Sequence, residues 1–180
     1  AGAVLNTHDL SLNQRSVVPE RLEDVADLGQ PIKTVDRAVP IDWTDYNGHM
    51  NEARYLQAFG YGIDWLMLIV GCTPDYIASG GSYFTAETHI RHLDEVHAGA
   101  RIRIETQVLN GAGKKMHLFH AMCEGDRLLA TGEHMLIHVS LETRRASEPA
   151  PQIAEALGRV AEAHAPLGKP EGAGSAVGVR

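Results

Sequence analysis

Cysteine is scarce in this chain: Cys72 and Cys123 are the only two in 180 residues. Two thiols cannot build the multi-bridge framework of a small secreted domain, and their plain reading is a pair of buried or inert side chains. Long apolar runs are missing too. The longest, from Trp65 to Cys72, falls far short of a bilayer crossing. The N-terminus shows no basic stretch followed by an apolar one, so no secretory signal is expected and we read a cytoplasmic, soluble protein. Basic charge is in deficit, with 16 Lys+Arg against 23 Asp+Glu and a net charge of -7. That argues against a surface that grips nucleic acid throughout, and leaves room for a local basic patch facing an anionic ligand. What is present is ordinary: 44% apolar and 22% charged residues, the composition of one globular domain with a real core.

Three regions divide the chain. Residues 1–33 are polar and of poor periodicity and read as an N-terminal arm. Residues 34–165 carry the structural signals. Residues 166–180 collapse to Gly, Pro, Ala and other small residues and read as a flexible tail. Inside the core, 34–41 reads as a strand ending near Pro40, and a polar turn follows. From 51 to 70, apolar residues at Tyr55, Phe59, Ile63, Leu66, Met67 and Val70 recur at steps of three and four, which predicts a helix. Its last turns are apolar on nearly every side, so that end should be buried all round. Gly71 and Pro74 stop it. Strands are expected at 83–93, 100–109, 115–123 and 128–141, and a closing helix at 149–165. The second of these strands alternates cleanly, with Ile102, Ile104, Thr106 and Val108 on one face. A helix apolar all round needs a curved sheet wrapped about it, and no parallel βαβ alternation appears. The fold class is therefore α+β, an antiparallel sheet around one long helix with a second helix at the C-terminal end.

Several motifs fail on inspection. Gly111-Ala112-Gly113-Lys114-Lys115 lacks the earlier glycine and the Ser or Thr of a phosphate loop. Gly80-Gly81-Ser82-Tyr83-Phe84 lacks the second glycine of a nucleophile elbow. The ten histidines suggest a metal, but His134 and His138, four apart on a strand, stand about 13 Å from each other. His89 with His92, and His117 with His120, are three apart and face opposite sides of their strands. All of these read as surface or core-edge histidines with ordinary hydrogen bonds, and no metal site is expected.

One segment carries chemistry. Asp45-Tyr46-Asn47-Gly48-His49-Met50-Asn51 lies where a strand turns into the long helix, with polar side chains at alternate positions. A carboxylate beside unpaired N–H groups can act as base or nucleophile while the donors polarise a carbonyl. The same residues also admit a structural reading, with Asp45 or Asn47 capping the helix and His49 closing the turn.

The Asp-x-Asn-Gly-His-Met-Asn pattern, followed by Tyr55 and Phe59, resembles the hotdog-fold acyl-CoA thioesterases of the 4-hydroxybenzoyl-CoA thioesterase-like group, over about residues 34–145. It is also similar to the Asp-x-Asn-x-His turn of acyl-carrier-protein thioesterases. Further stretches are most similar to the betainyl-CoA thioesterase module of carnitine catabolism. They include Val35-Asp36-Arg37, Trp43 to Tyr55, Ser82-Tyr83-Phe84-Thr85, Glu87 to Glu95, Gly113 to His120 and Ala130 to Val139. The resemblance implies hydrolysis of betainyl-CoA to glycine betaine and CoA. It implies Asp45 as the catalytic carboxylate, either as general base or as nucleophile, with Asn47 and His49 orienting carboxylate and water. Backbone N–H groups of Gly48 and His49 would polarise the thioester carbonyl. Many relatives carry Asp-x-Asp where this chain has Trp43-Thr44-Asp45, so only the second acid is kept. No cofactor is implied, CoA entering only as part of substrate and product, and no metal.

A fixed trimethylammonium is held by aromatic faces and a carboxylate. Trp43, Tyr46, Tyr83 and Phe84 are the candidate aromatics. Glu87, at even spacing from Tyr83 and so expected on the same face, is the candidate acid. Arg91, Lys114 and Lys115 are the weaker candidates for the anionic CoA. Family members put the site at a subunit interface, which implies a homodimer or a dimer of dimers and no nucleic-acid or membrane partner. Two alternatives stay open: a thioesterase for another short, fatty or aromatic acyl group, and a non-catalytic acyl-CoA or betaine binding module.

Overall fold

A computed structural model describes residues 18–177. The first seventeen residues of the expected arm and the last three of the expected tail lie outside the described residues. The elements in chain order are β1 (Ile32–Ala38), α1 (Glu52–Ile69), α2 (Pro74–Ala78), β2 (Gly81–His92), β3 (Arg101–Asn110), β4 (Lys115–Glu124), β5 (Arg127–Ser140) and α3 (Pro151–His164). The strands form one sheet in the order β1-β3-β4-β5-β2, and every neighbouring pair is antiparallel. Helix α1 packs on one face of it. This is the expected hotdog arrangement. None of the described helices is long and apolar enough to cross a membrane.

The sequence pattern accounts for most of this. On β3, Ile102, Ile104, Thr106 and Val108 are buried as the alternation requires. On α1, Tyr55, Phe59, Ile63, Leu66 and Met67 are buried, along with Trp65, whose indole N–H donates to the Pro19 carbonyl at 2.6 Å. β1 stops at Ala38, earlier than expected. Pro40 supplies no N–H for the ladder, and Ile41–Trp43 turn into a single 3-10 turn. α2 is an element the periodicity did not announce. Pro74 opens it, and the Thr73 side chain accepts the Tyr76 N–H at 3.3 Å.

Both flanking segments are in contact with the core. Val18 is buried, and Leu22, Val25 and Leu28 pack against the core. At the other end Gln107 donates to the Gly168 carbonyl at 2.9 Å, Ala173 is buried, and the Gly174 N–H donates to the Glu133 carboxylate at 2.7 Å. Residues 168–174 therefore lie along the sheet instead of trailing free of it. His164 ties α3 down. Its Nδ1 accepts the Val108 N–H and its Nε2 faces the Gln30 carbonyl, both at 2.9 Å, so Nε2 carries the proton.

Three of the histidines expected at the surface or core edge are buried: His138, held by Tyr76 and Ser147, and the pair His120 and His134. His120 and His134 are fully buried between sheet and helix, their rings 5.1 Å apart and both against Phe59. His120 Nδ1 is linked at 2.8 Å to Thr106, which is linked at 2.8 Å to Thr34. Among the described residues neither nitrogen of His134 has a partner, nor has His120 Nε2. Their register on β4 and β5 points both inward, and Gly62 of α1, where a Cβ would stand 3.6 Å from His120 Nδ1, leaves room for that ring.

Candidate active site

The segment from Trp43 to Asn51 closes on itself before the helix begins. Asn51 N–H donates to the Trp43 carbonyl at 2.8 Å, and the Asp45 N–H to the His49 carbonyl at 2.9 Å. Gly48 N–H returns to the Asp45 carbonyl at 3.0 Å, a tight turn in which Gly48 takes φ +77°. The Asp45 Oδ1 accepts the Asn47 N–H at 2.8 Å, an Asx turn that fixes the carboxylate. Its Oδ2 has no internal partner among the described residues, and Asp45 is half-buried.

This geometry separates the two readings of the turn. The helix N-cap is Asn51, whose side chain accepts the Ala53 N–H at 2.9 Å, so neither Asp45 nor Asn47 caps α1. It also corrects one expectation. The Gly48 N–H is engaged by Asp45 and is not free to polarise a carbonyl, whereas the His49 N–H has no acceptor among the described residues.

A second loop, after β2, supports the first. Met50 N–H donates to the Val96 carbonyl at 2.8 Å. His97 Nδ1 donates to the Gly48 carbonyl at 3.2 Å, and its ring lies 4.6 Å from that of His49. His49 Nδ1 sits 3.1 Å from the Glu95 carboxylate. Asp94 is held by Arg127 at 2.7 Å, and its carbonyl by the Tyr55 hydroxyl at 3.3 Å. Glu95 and His97 were not singled out from sequence. They stand almost fifty residues from His49, with no spacing signal to link them. One ring nitrogen each from His49 and His97 and an oxygen of Glu95 lie within 4.8 Å of one another, a group able to take a cation. Each side chain of this group already has a protein partner.

The aromatic candidates do not converge within one chain. Trp43 is buried, with the Arg37 guanidinium 4.5 Å over its ring and Tyr61 stacked at 6.2 Å, so its face is already occupied. Tyr46 is 97% exposed. Tyr83 is buried against His138, its hydroxyl without a partner among the described residues. Phe84 is partly exposed beneath Arg144. Glu87 does not share a face with Tyr83. The register slips between Thr85 and Glu87, so Tyr83 pairs with His138 but Glu87 pairs with Met135, three residues along β5 and on the opposite face. Glu87 lines an outer-face cavity of about 290 Å³ with His89, His117, Glu133 and the tail residue Gly174. The basic candidates are also apart. Lys115 lies in the strand row of Ile137 and Phe84, while Arg91 is seven residues further along β2, about 23 Å away.

A profile of the family described as the Thioesterase-like superfamily matches residues 39–157. The chain is 65% identical over 177 residues to the L-carnitine dehydrogenase/betainyl-CoA thioesterase of Ruegeria pomeroyi, covering 98% of this chain and 36% of that one. It is 41% identical over 158 residues to the betainyl-CoA thioesterase of Pseudomonas aeruginosa, covering 84% of this chain and 98% of the other. The chain thus spans little more than a third of the bifunctional relative and nearly all of the shorter one. Among solved structures, a protein from Pseudomonas putida KT2440 provisionally described as a thioesterase superposes with a TM-score of 0.72 at 30% identity, over 83% of this chain and 97% of that one. A Staphylococcus aureus protein solved in complex with CoA superposes at 0.73 with 20% identity, over 84% and 98%, a likeness of fold. With the helix-wrapping sheet and the Asp45 turn in place, this profile match identifies the chain as a member of the Thioesterase-like superfamily.

Proposed function

We propose that the chain hydrolyses betainyl-CoA to glycine betaine and CoA, with Asp45 as the catalytic carboxylate, in a homodimer joined along β2. The observation that carries this reading is the Asp45 carboxylate. One oxygen is fixed by the Asn47 N–H and the other is left without an internal partner, as a base waiting for water would be. In the proposed step, water attacks the thioester carbonyl carbon and gives its proton to Asp45. The His49 N–H stabilises the oxyanion, and collapse breaks the C–S bond to release the CoA thiolate, which takes up a proton. His49, buttressed by Glu95 and His97, orients the water together with Asn47. The names of the two relatives support the acyl group. Lys114 and Lys115, at the start of β4, would meet the phosphates of CoA, and Arg91, about 23 Å further along β2, stands apart from them. Support for the dimer comes from β2, a twelve-residue edge strand whose middle, residues 84–88, is exposed.

A panel of betainyl-, butyryl-, long-chain and aromatic acyl-CoA substrates, read by thiol release, tests the reading. The highest kcat/KM is expected on betainyl-CoA, and equal rates on butyryl-CoA would sink the acyl assignment. Asp45→Ala should lower kcat by about 10²–10⁴-fold while the far-ultraviolet circular dichroism stays native. A fully active variant would refute the catalytic role, and tight binding without turnover in the wild type would make the chain a binding module.

A further inference from the structure

Asp64 stands out among the acidic residues of the chain. It sits on α1 in the stretch that is otherwise apolar, and no hydrogen bond or ion pair holds its carboxylate among the described residues. It lines a cavity of about 220 Å³ together with Met67, Tyr83, Phe84 and Leu136, and it is the one formally charged residue there. Asp64 is exposed at the mouth of this cavity, and the atoms packed on its inner side raise its carboxyl to about 6. Asp64 at the mouth sets a negative charge beside the apolar surface of Ile63, Met67, Tyr83 and Leu136, and a cation clothed in methyl groups can meet both at once. A quaternary ammonium donates no hydrogen bonds, so a charge and aromatic edges are what can hold it.

We propose that Asp64, with Tyr83, forms the subsite for the trimethylammonium of the acyl group, and that this subsite serves the Asp45 turn of a second copy of the chain. The proposal rests on the betainyl-CoA reading above and names the residue that selects that substrate. Distance argues for the second copy. Asp64 lies twelve residues beyond Glu52, about 18 Å from the start of α1, too far for the Asp45 of its own chain to reach a small acyl group bound there. Helix α1 runs antiparallel to β2. Tyr55 near its start meets His92 at 4.9 Å, and Asp64 near its end shares a cavity with Tyr83 and Phe84. A two-fold axis through the middle of β2 sets the start of one strand beside the end of the other. It brings the helix N-terminus and Asp45 turn of one copy towards the Asp64 cavity of its partner.

The test compares betainyl-CoA with 3,3-dimethylbutyryl-CoA, in which carbon replaces the cationic nitrogen in the same shape. In the wild type the ratio of kcat/KM strongly favours betainyl-CoA. Asp64→Asn should lower that ratio about 100-fold, chiefly through KM for betainyl-CoA, and Asp64→Glu should restore part of it. Loss of folded protein scales both substrates alike and cancels in the ratio. A wild type that does not discriminate overturns the betaine reading and this assignment with it. A discriminating wild type whose ratio survives Asp64→Asn overturns the assignment alone. Co-folding Asp45→Ala chains with Asp64→Asn chains then tests the sharing. A heterodimer keeps one intact site, so activity on betainyl-CoA should return to about a quarter of wild type. No recovery would show that both groups come from the same chain.

Discussion

His120 and His134 hold the least compensated polar atoms of the core, and the consequence is a stability that depends on pH. Burial keeps both rings neutral, pushing His134 down to about 4 and His120 well below the ordinary histidine value, with the neighbouring His134 adding to the effect on His120. Glu133, next to His134, works weakly in the other direction. In the unfolded chain a histidine takes its proton near 6.5, so between about 6.5 and 4 the unfolded state binds a proton that the folded state refuses. Stability is therefore complete above that window and falls with pH through it, by roughly 3 kcal/mol for His134 alone. His134→Met fills similar space with no orphaned nitrogen. The urea midpoint of this variant at pH 7 is expected to match or exceed wild type, with a shallower decline towards pH 4.5. An unchanged decline would assign the effect to other groups. None of this was legible in the sequence. The spacing of His134 and His138 told that they stand about 13 Å apart on one strand, but not that α1 would close over them.

At the scale of elements, two local irregularities decide what the regular pattern could not. The first is the bulge in β2. Alternation alone puts Tyr83 and Glu87 on one face, and one extra residue between paired positions reverses this, sending Tyr83 to the helix side and Glu87 to the outer surface. Sequence patterns of period two cannot register such a slip, because nothing in the Thr85-Ala86-Glu87 run differs from an ordinary exposed strand. The second is the approach of α1 to the centre of the sheet at Gly132. A Cβ there would stand 2.8 Å from the buried Phe59 ring, which has no room to retreat. Gly132→Ala should cost about 1–3 kcal/mol, measured as a shift in denaturant midpoint. Phe59→Leu should cost less in that background than alone, because the pair shares one space. Additive costs would mean that the helix simply lifts away.

For the whole molecule, the question is what covers β2. It pairs with β5 on one side only, and residues 84–88 are exposed. A long unpaired edge bearing Phe84 is the kind of surface a second chain completes. Ala86 falls at the slip, with no residue of β5 opposite it, so Ala86→Pro spares the internal ladder while removing an N–H from the strand that would join the copies. Sedimentation velocity should show this variant as a monomer with hydrolysis lost, since the proposed site draws on two chains. A dimeric, active variant would move the interface elsewhere, to the shorter edge at β1 or to the outer face.

The sequence by itself determined the antiparallel sheet, the long helix and its span, and the polar turn at Asp45. Hydrophobic periodicity, glycine and proline act over a few residues and are written directly in the chain. The tertiary structure alone decided that Asn51 and not Asp45 caps α1, and that the Gly48 N–H is consumed within the turn. It decided too that Arg37 covers Trp43, that Glu95 and His97 stand behind His49, and that Asp64 faces a cavity. Each of these is a pairing between groups whose closeness depends on how the sheet curls around the helix. That curvature is set by the packing of the whole core, so no short window of sequence contains it.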